Sequence, residues 1–297
     1  MWIGKFLAEH GYADCKPQLS PMPESLKFDK DEMPTDATQE RLIVKQLLAE
    51  KKIGPGSTWP AVTNYADVRS KCRSVVGGFG WVAQTSHPEL QGAHSMWASQ
   101  LAAPSYRAFI SLQRGLRYAK KAKDDYLVYT RSGSTQMEFH AQSDASLGAD
   151  SGSGSSQHGY WVAANGSAVI ESKAGRTKMV CLSTTHTEIV SLSECIRALV
   201  ALRRLAEECG FIMRTPSRVD CDNEVAIKLS KLRTNSDKSR TIRLRDFYCR
   251  EAVSRGEVCV EFMKGTDTDA DIFTKAKGDP AFAKMAKRLK QGHRGVL

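Results

Sequence analysis

The spacing of apolar positions changes character once along the chain. From about residue 39 to 123 apolar residues recur at helical intervals, with breaks at Gly54-Pro55-Gly56, near His87-Pro88 and near Pro104. The clearest segment is YRAFISLQRGLRYAKKAK, in which Phe109, Leu112, Leu116 and Ala119 form one stripe and Arg114, Arg117 and Lys121 fall on the opposite face. After Tyr126-Leu-Val-Tyr129 the pattern shortens to strands. MEFHAQSDAS predicts a strand closing at Asp144, and the Gly/Ser-rich DSGSGSSQ predicts a mobile loop. HGYWVAANGSAVIESKAG predicts two strands joined at Asn165-Gly166, a pair favoured in tight hairpin turns, and TKMVCLS a further strand of the same meander.

A long helix is predicted from Thr185 to about Cys209, with Ile189, Leu192, Ile196 and Leu199 on one face and Gly210 as its stop. A strand over 218–222 and a short helix follow, then a helix from about Ser239 to Arg255, the strand VCVEFMK, and a helical end from Thr268 to about Gln291. Meander strands followed by strands separated by helices predict a mixed sheet with helices packed on it. At the other end, residues 1 to about 13 predict a short amphipathic helix. The proline-rich KPQLSPMPESLKFDKDEMPTDATQ behind it reads as a linker or extended arm, so the N-terminal piece is expected to be loosely attached.

Composition adds three constraints. Hydrophobic residues make up 41% of the 297 residues and charged residues 26%, an ordinary globular balance that supports a real core. Lys and Arg outnumber Asp and Glu by 43 to 33, which favours a polyanionic partner such as nucleic acid; a solvated basic surface is the plain alternative. The eight cysteines are scattered without a C-x-x-C pair, which predicts reduced core residues of an intracellular protein and no structural zinc. The first residues lack a signal-peptide core and no run is long enough to span a membrane, so a soluble, cytoplasmic or nuclear protein is expected.

Four acids occupy comparable positions at widely separated places. Asp144 closes the first predicted strand, Glu188 lies in the first turn of the long helix, Asp222 closes the fourth strand and Asp271 opens the final helix. Each has an ordinary reading: a turn residue for Asp144, a capping box Thr185-x-x-Glu188, an N-cap for Asp222, and a dipole-favoured acid for Asp271. Against the capping box, Glu188 is in register with Leu192, Cys195 and Leu199 on the sheet-facing side, where a lone carboxylate needs a cation or hydrogen bonds. Taken together the four are candidates for one metal site. Asp220 shares a strand face with Asp222 but stops short of the strand's end, and reads as a bystander.

Several strings, in order, resemble the carboxyl-terminal part of Copia-type (Pseudoviridae) retrotransposon Pol polyproteins: FLAEHGYADCKPQLSPM, RSVVGGFGWVAQTSHPEL, LRYAKKAKDDYLVY, SDAS, LSTTHTEIVSLSE, CDNEVAIKL, REAVSRGEV and ADIFTKA. The resemblance implies a reverse transcriptase remnant and linker over 1–38, a helical connection region over 39–134, and a ribonuclease H-like α/β domain with a basic tail over 135–297. It implies a five-stranded mixed sheet with flanking helices, and Asp144, Glu188, Asp222 and Asp271 as catalytic ligands of two Mg²⁺ ions, with Mn²⁺ as a substitute. Four carboxylates without Cys or His suit such hard ions. Asp144 matches the family's first-strand aspartate, Glu188 the glutamate of its S-S-T-E-A-E-like motif, Asp222 the aspartate of D-N, and Asp271 that of A-D-I-x-T-K.

The implied activity is cleavage of the RNA strand of RNA·DNA hybrids. Arg114, Arg117, Lys121, Lys228, Lys231, Lys238 and Arg240 are the expected phosphate contacts, each with a solvated surface position as its plainer reading. Other Pol or Gag products of a related element are expected partners. The chain departs from the family at Asp144-Ala-Ser-Leu147, where D-A-D-W is usual. It also departs at His186, where a second acid is usual, and at Arg240-Thr-Ile-Arg243, where K-H-I-D is common; no histidine lies between Asp222 and Asp271. An aromatic-x-Asp-Asp palm hairpin is missing, because Lys123-Asp-Asp-Tyr126 ends a basic helix, so no polymerase activity is expected. Two other readings stay open: a remnant that binds nucleic acid without cleaving it, and an unrelated α/β protein with capped helices.

Overall fold

A computed structural model describes residues 2–130, 135–148, 155–177, 181, 183–231 and 240–292. They form two compact units. One runs to Tyr126 and includes Ala276–Lys284; the other runs from Leu127 to Lys275 and resumes at Met285.

The first unit is helical: α1 (Trp2–Glu9), α2 (Ala37–Ala49), α3 (Tyr65–Thr85), α4 (Gln91–Ala98) and α5 (Tyr106–Ala122). The helix breaks fall where the glycines and prolines place them, and α5 buries the expected stripe of Phe109, Leu112, Leu116 and Ala119. Side-chain caps begin several of these helices: Asp36 accepts from the Thr38 and Gln39 amides, Asn64 from Asp67, and Ser105 from Ala108. The N-terminal piece is not loosely attached. Ile3, Phe6 and Leu7 of α1 are buried, as are Ser20, Met22 and Phe28 of the proline-rich arm. Phe6 meets Phe79 of α3 edge-on at 5.5 Å, and Arg114 donates to the Ser20 carbonyl at 3.2 Å. The arm's few apolar residues follow no period, so the pattern gives no sign of their burial.

The second unit carries β1 (Phe139–Ser146), β2 (Gln157–Ala164), β3 (Val169–Arg176), α6 (Thr184–Glu208), β4 (Ser217–Cys221), α7 (Glu224–Lys231), α8 (Arg240–Ser254) and β5 (Val258–Phe262). The last helix, α9 (Asp279–Gln291), is divided between the two units. The strands lie in the order β3-β2-β1-β4-β5; β1, β2 and β3 pair antiparallel, and β4 and β5 join parallel. Hairpins serve the antiparallel half, whereas helical crossovers through α6, then α7 and α8, are what parallel pairing requires. This is the mixed five-stranded sheet with flanking helices that the sequence predicts. The hairpin turns at Asn165 and Gly166, both with positive φ (51° and 64°).

One face of the sheet packs on helices: Phe139, Ala141, Tyr160, Val162, Val219, Cys221 and Val260 meet Ile189, Leu192, Ile196 and Leu199 of α6 and Cys249 and Ala252 of α8. Among the described residues no disulfide joins the cysteines, most of which are buried, and no helix is long and apolar enough to cross a membrane.

Three expectations about elements change. The meander strand over TKMVCLS is not seen at Thr177, Cys181 or Ser183, and its residues 178–180 and 182 lie outside the described residues, as does most of DSGSGSSQ. β4 ends at Cys221, leaving Asp222 just past the strand. The helical end is interrupted: short 3-10 turns at Gly265–Asp267 and Asp269–Phe273 precede α9. Gly278 and Pro280 make a continuous helix from Thr268 unfavourable.

Candidate metal centre

Asp144 sits near the end of β1 opposite Gly159 of β2, and only 1% of its surface is exposed. Its neighbours come from the 3-10 turn. Thr274 donates its hydroxyl to Asp144 Oδ2, and the turn is tied to the sheet by Gln157 Nε2 donating to the Phe273 carbonyl at 3.2 Å. The Asp269 amide donates to Gln142 Oε1 at 2.8 Å, and Arg288 pairs with Asp269 at 3.1 Å. These contacts place Asp271, itself buried, beside Asp144.

Glu188 enters from the first turns of α6. The capping box does not form: Ser183 is the N-cap, accepting from the His186 amide. Glu188 is therefore two residues too deep to close a capping box. Its Oε2 is buried without a hydrogen-bond partner among the described residues. Asp222 likewise does not cap α7, because Asn223 Oδ1 takes the Ala226 amide at 2.9 Å. That leaves the Asp222 carboxylate available to the cluster. One oxygen each of Glu188 and Asp222 and the Cys221 sulfur lie within 4.8 Å of one another.

Of the four predicted acids, Glu188 and Asp222 lie within 4.8 Å through one oxygen each, and Asp144 and Asp271 share the Lys275 ammonium. Their proton affinities report the crowding. Burial pushes Asp144 up to about 7, with Asp271 adding to the effect, and Glu188 up to about 9, with Asp144 and Asp222 adding. Asp222 is also raised, by burial first, against a lowering from Lys275. Carboxylates so raised are short of positive charge, and a buried carboxylate oxygen without a donor has room for a cation as its partner. The donor set, hard oxygens from four segments, suits a divalent ion such as Mg²⁺. Cys221 does not alter that, since burial raises its thiol well above the usual range and keeps it protonated.

Three neighbours escape the sequence reading. Thr274 and Lys275 follow Asp271 at i+3 and i+4, a spacing that puts them on its face, and this was the available signal. The Lys275 ammonium lies 2.5 Å from Asp271 Oδ1 and 3.6 Å from Asp144 Oδ1. Cys221 carried no signal, since alternation assigns it to the helix-covered core. Asp220 is not part of the cluster: it accepts from Arg218 Nε and pairs with His140 Nε2, each at 2.7 Å.

The expected phosphate contacts are dispersed. In the first unit Arg114 is committed to Asp279 at 2.8 Å and to Ser20, Lys121 lies 3.6 Å from Asp125, and Arg117 is exposed. In the second, Lys228 pairs with Glu224 at 3.3 Å and Lys231 with Glu261 at 3.8 Å. Arg240 opens α8, and Lys238 lies outside the described residues.

No protein-family model matches the chain. It is 23% identical over 274 residues to the retrovirus-related Pol polyprotein from transposon TNT 1-94 of Nicotiana tabacum, a match covering 92% of this chain and 18% of that protein. The resemblance to a retrotransposon Pol polyprotein read from the motifs is borne out by this match, and the chain spans under a fifth of the relative's length. Among solved structures it is similar to the N-terminal ribonuclease H domain of a Mycobacterium tuberculosis protein, with 13% identity, a TM-score of 0.36, and coverage of 51% of this chain and 98% of that one. It is also similar to a ribonuclease H1 recovered from compost, solved in complex with an RNA/DNA hybrid, with 12% identity, a TM-score of 0.35, and coverage of 46% and 94%.

Proposed function

We propose that this chain is a ribonuclease H-type endonuclease that hydrolyses the RNA strand of RNA·DNA hybrids, with Asp144, Glu188, Asp222 and Asp271 holding two divalent ions, Mg²⁺ or Mn²⁺. The observation that carries this reading is the approach of Glu188 to Asp222 and of Asp144 and Asp271 to one shared ammonium, with Glu188 Oε2 buried and without a hydrogen-bond partner among the described residues. Two divalent ions held by these residues would supply an activated water and charge stabilisation at the leaving oxygen.

The chain's own residues supply position and charge. Thr274 fixes the Asp144 carboxylate, and Asn223 relieves Asp222 of capping. The 3-10 turn carries Asp271 as a rigid piece, because three separate contacts pin it to the sheet and α9. Phosphate contacts are assigned to Arg117 and Lys121 in the first unit and Lys228, Lys231, Lys238 and Arg240 in the second; Arg114 has a structural partner and contributes least. Selection of the RNA strand follows from contacts to its 2′-hydroxyls. Other Pol or Gag products of a related element are the proposed protein partners.

The test offers the purified chain an RNA·DNA hybrid and a DNA·DNA duplex of one sequence, each strand labelled in turn, with Mg²⁺. Fragments are expected from the RNA strand alone. Binding of the hybrid with no fragment would instead identify a non-cleaving remnant.

A further inference from the structure

Lys275 gives the acidic cluster an internal cation. Its ammonium stands 2.5 Å from Asp271 Oδ1 and 3.6 Å from Asp144 Oδ1, and its charge also acts on Asp222 and Glu188. The side chain is not locked in: 44% of it is exposed, so a flexible four-carbon stem has a path out to solvent. Asp144, by contrast, is 2% exposed and cannot follow it. One end of this pair moves and the other does not.

From this geometry we infer that Lys275 is a tethered counter-ion that holds Asp144 and Asp271 together in the metal-free protein and is displaced when a divalent ion binds. The inference rests on the metal-centre reading of the four acids. A single ammonium cannot balance four ionised carboxylates, and a doubly charged ion, which draws Asp144 and Glu188 into their ionised forms, competes with it for the site. Displacing Lys275 costs its two ion pairs, and this sets the metal concentration at which the site fills. Lys275 is a positioning residue: it acts on two carboxylates, and its removal weakens the empty site while strengthening the filled one.

The experiment titrates the full chain with Mg²⁺ alone, without nucleic acid, by calorimetry, and melts the same samples in EDTA. Wild type is compared with Lys275→Met, Lys275→Gln, Lys275→Arg and Asp222→Asn, with circular dichroism to verify folding. Lys275→Met and Lys275→Gln are expected to bind Mg²⁺ roughly tenfold more tightly than wild type and to melt lower in EDTA. Lys275→Arg, which keeps the charge, should stay near wild type, and Asp222→Asn should bind far more weakly. If Asp222→Asn loses affinity while both neutral Lys275 variants bind no tighter than wild type, the counter-ion role is wrong and the metal centre stands. If Asp222→Asn binds Mg²⁺ as well as wild type does, the metal-centre reading falls and this inference with it.

Discussion

Gly159 lies so close to Phe273 that a Cβ added to it would be 2.2 Å from the Phe273 Cβ. Gly159 is opposite Asp144 in the β1–β2 ladder, and Phe273 ends the 3-10 turn that carries Asp271. The missing side chain on β2 is therefore what lets the turn seat against the sheet and bring Asp271 to Asp144.

Gly159→Ala should push the turn off the sheet. The expected loss is roughly 1 to 3 kcal/mol of stability, measured by urea unfolding, together with weaker Mg²⁺ binding. Stability and affinity equal to wild type would show that the close seat is not needed.

Much of this arrangement is legible in the sequence, and the gaps have physical causes. The α5 stripe, the Asn165-Gly166 turn and Gly210 (φ +86°) are local signals, and each was realised. The positions of Asp144, Glu188, Asp222 and Asp271 at or near the ends of their elements are what make them candidates for one site. Helix caps were misplaced by one or two residues, with Ser183 in place of Thr185 and Asn223 in place of Asp222, because neighbouring polar residues compete for the same amides. The burial of Met22 and Phe28 and the reach of Lys275 depend on tertiary contacts that no periodicity records.

Ser191 sits on α6 with its hydroxyl 2.8 Å from the Asp144 carbonyl and 3.1 Å from the Gly159 carbonyl. It is fully buried, so Ser191→Ala leaves a carbonyl without its donor. The expected cost is about 1 kcal/mol, seen as a lower midpoint in thermal melts, with Mg²⁺ affinity reduced because Asp144 loses an anchor. An unchanged melt would remove Ser191 from the support of the site.

Asp220 lies within β4 and Asp222 just past its end, and the two differ in role. Asp220→Ala strands His140 and Arg218 and should destabilise the protein by on the order of 2 kcal/mol, discounted because Arg218 is partly exposed. Mg²⁺ affinity should be unaffected. Loss of Mg²⁺ binding in a folded Asp220→Ala protein would place Asp220 in the metal centre.

Asp144 and Glu188 are raised from 3.8 to about 7 and from 4.5 to about 9 in the metal-free protein. The folded state thus holds protons that the unfolded chain releases first, so these two groups favour folding most at acid pH. Their contribution declines as pH rises through about 4 to 9, and Mg²⁺, which binds the ionised carboxylates, should oppose that decline. Urea unfolding at about pH 5 and about pH 9, with EDTA or Mg²⁺, checks this. Wild type in EDTA should lose stability toward the higher pH and Glu188→Gln should lose less; identical slopes would contradict the buried, charge-starved site.

The central claim is tested most directly by incubating the full chain with Mg²⁺ and an RNA·DNA hybrid labelled on the RNA strand, beside Asp222→Asn. The wild-type protein should release RNA fragments, EDTA should stop it, and Asp222→Asn should be inactive while folding normally. Wild type as inactive as Asp222→Asn, or an Asp222→Asn protein as active as wild type, would contradict the account.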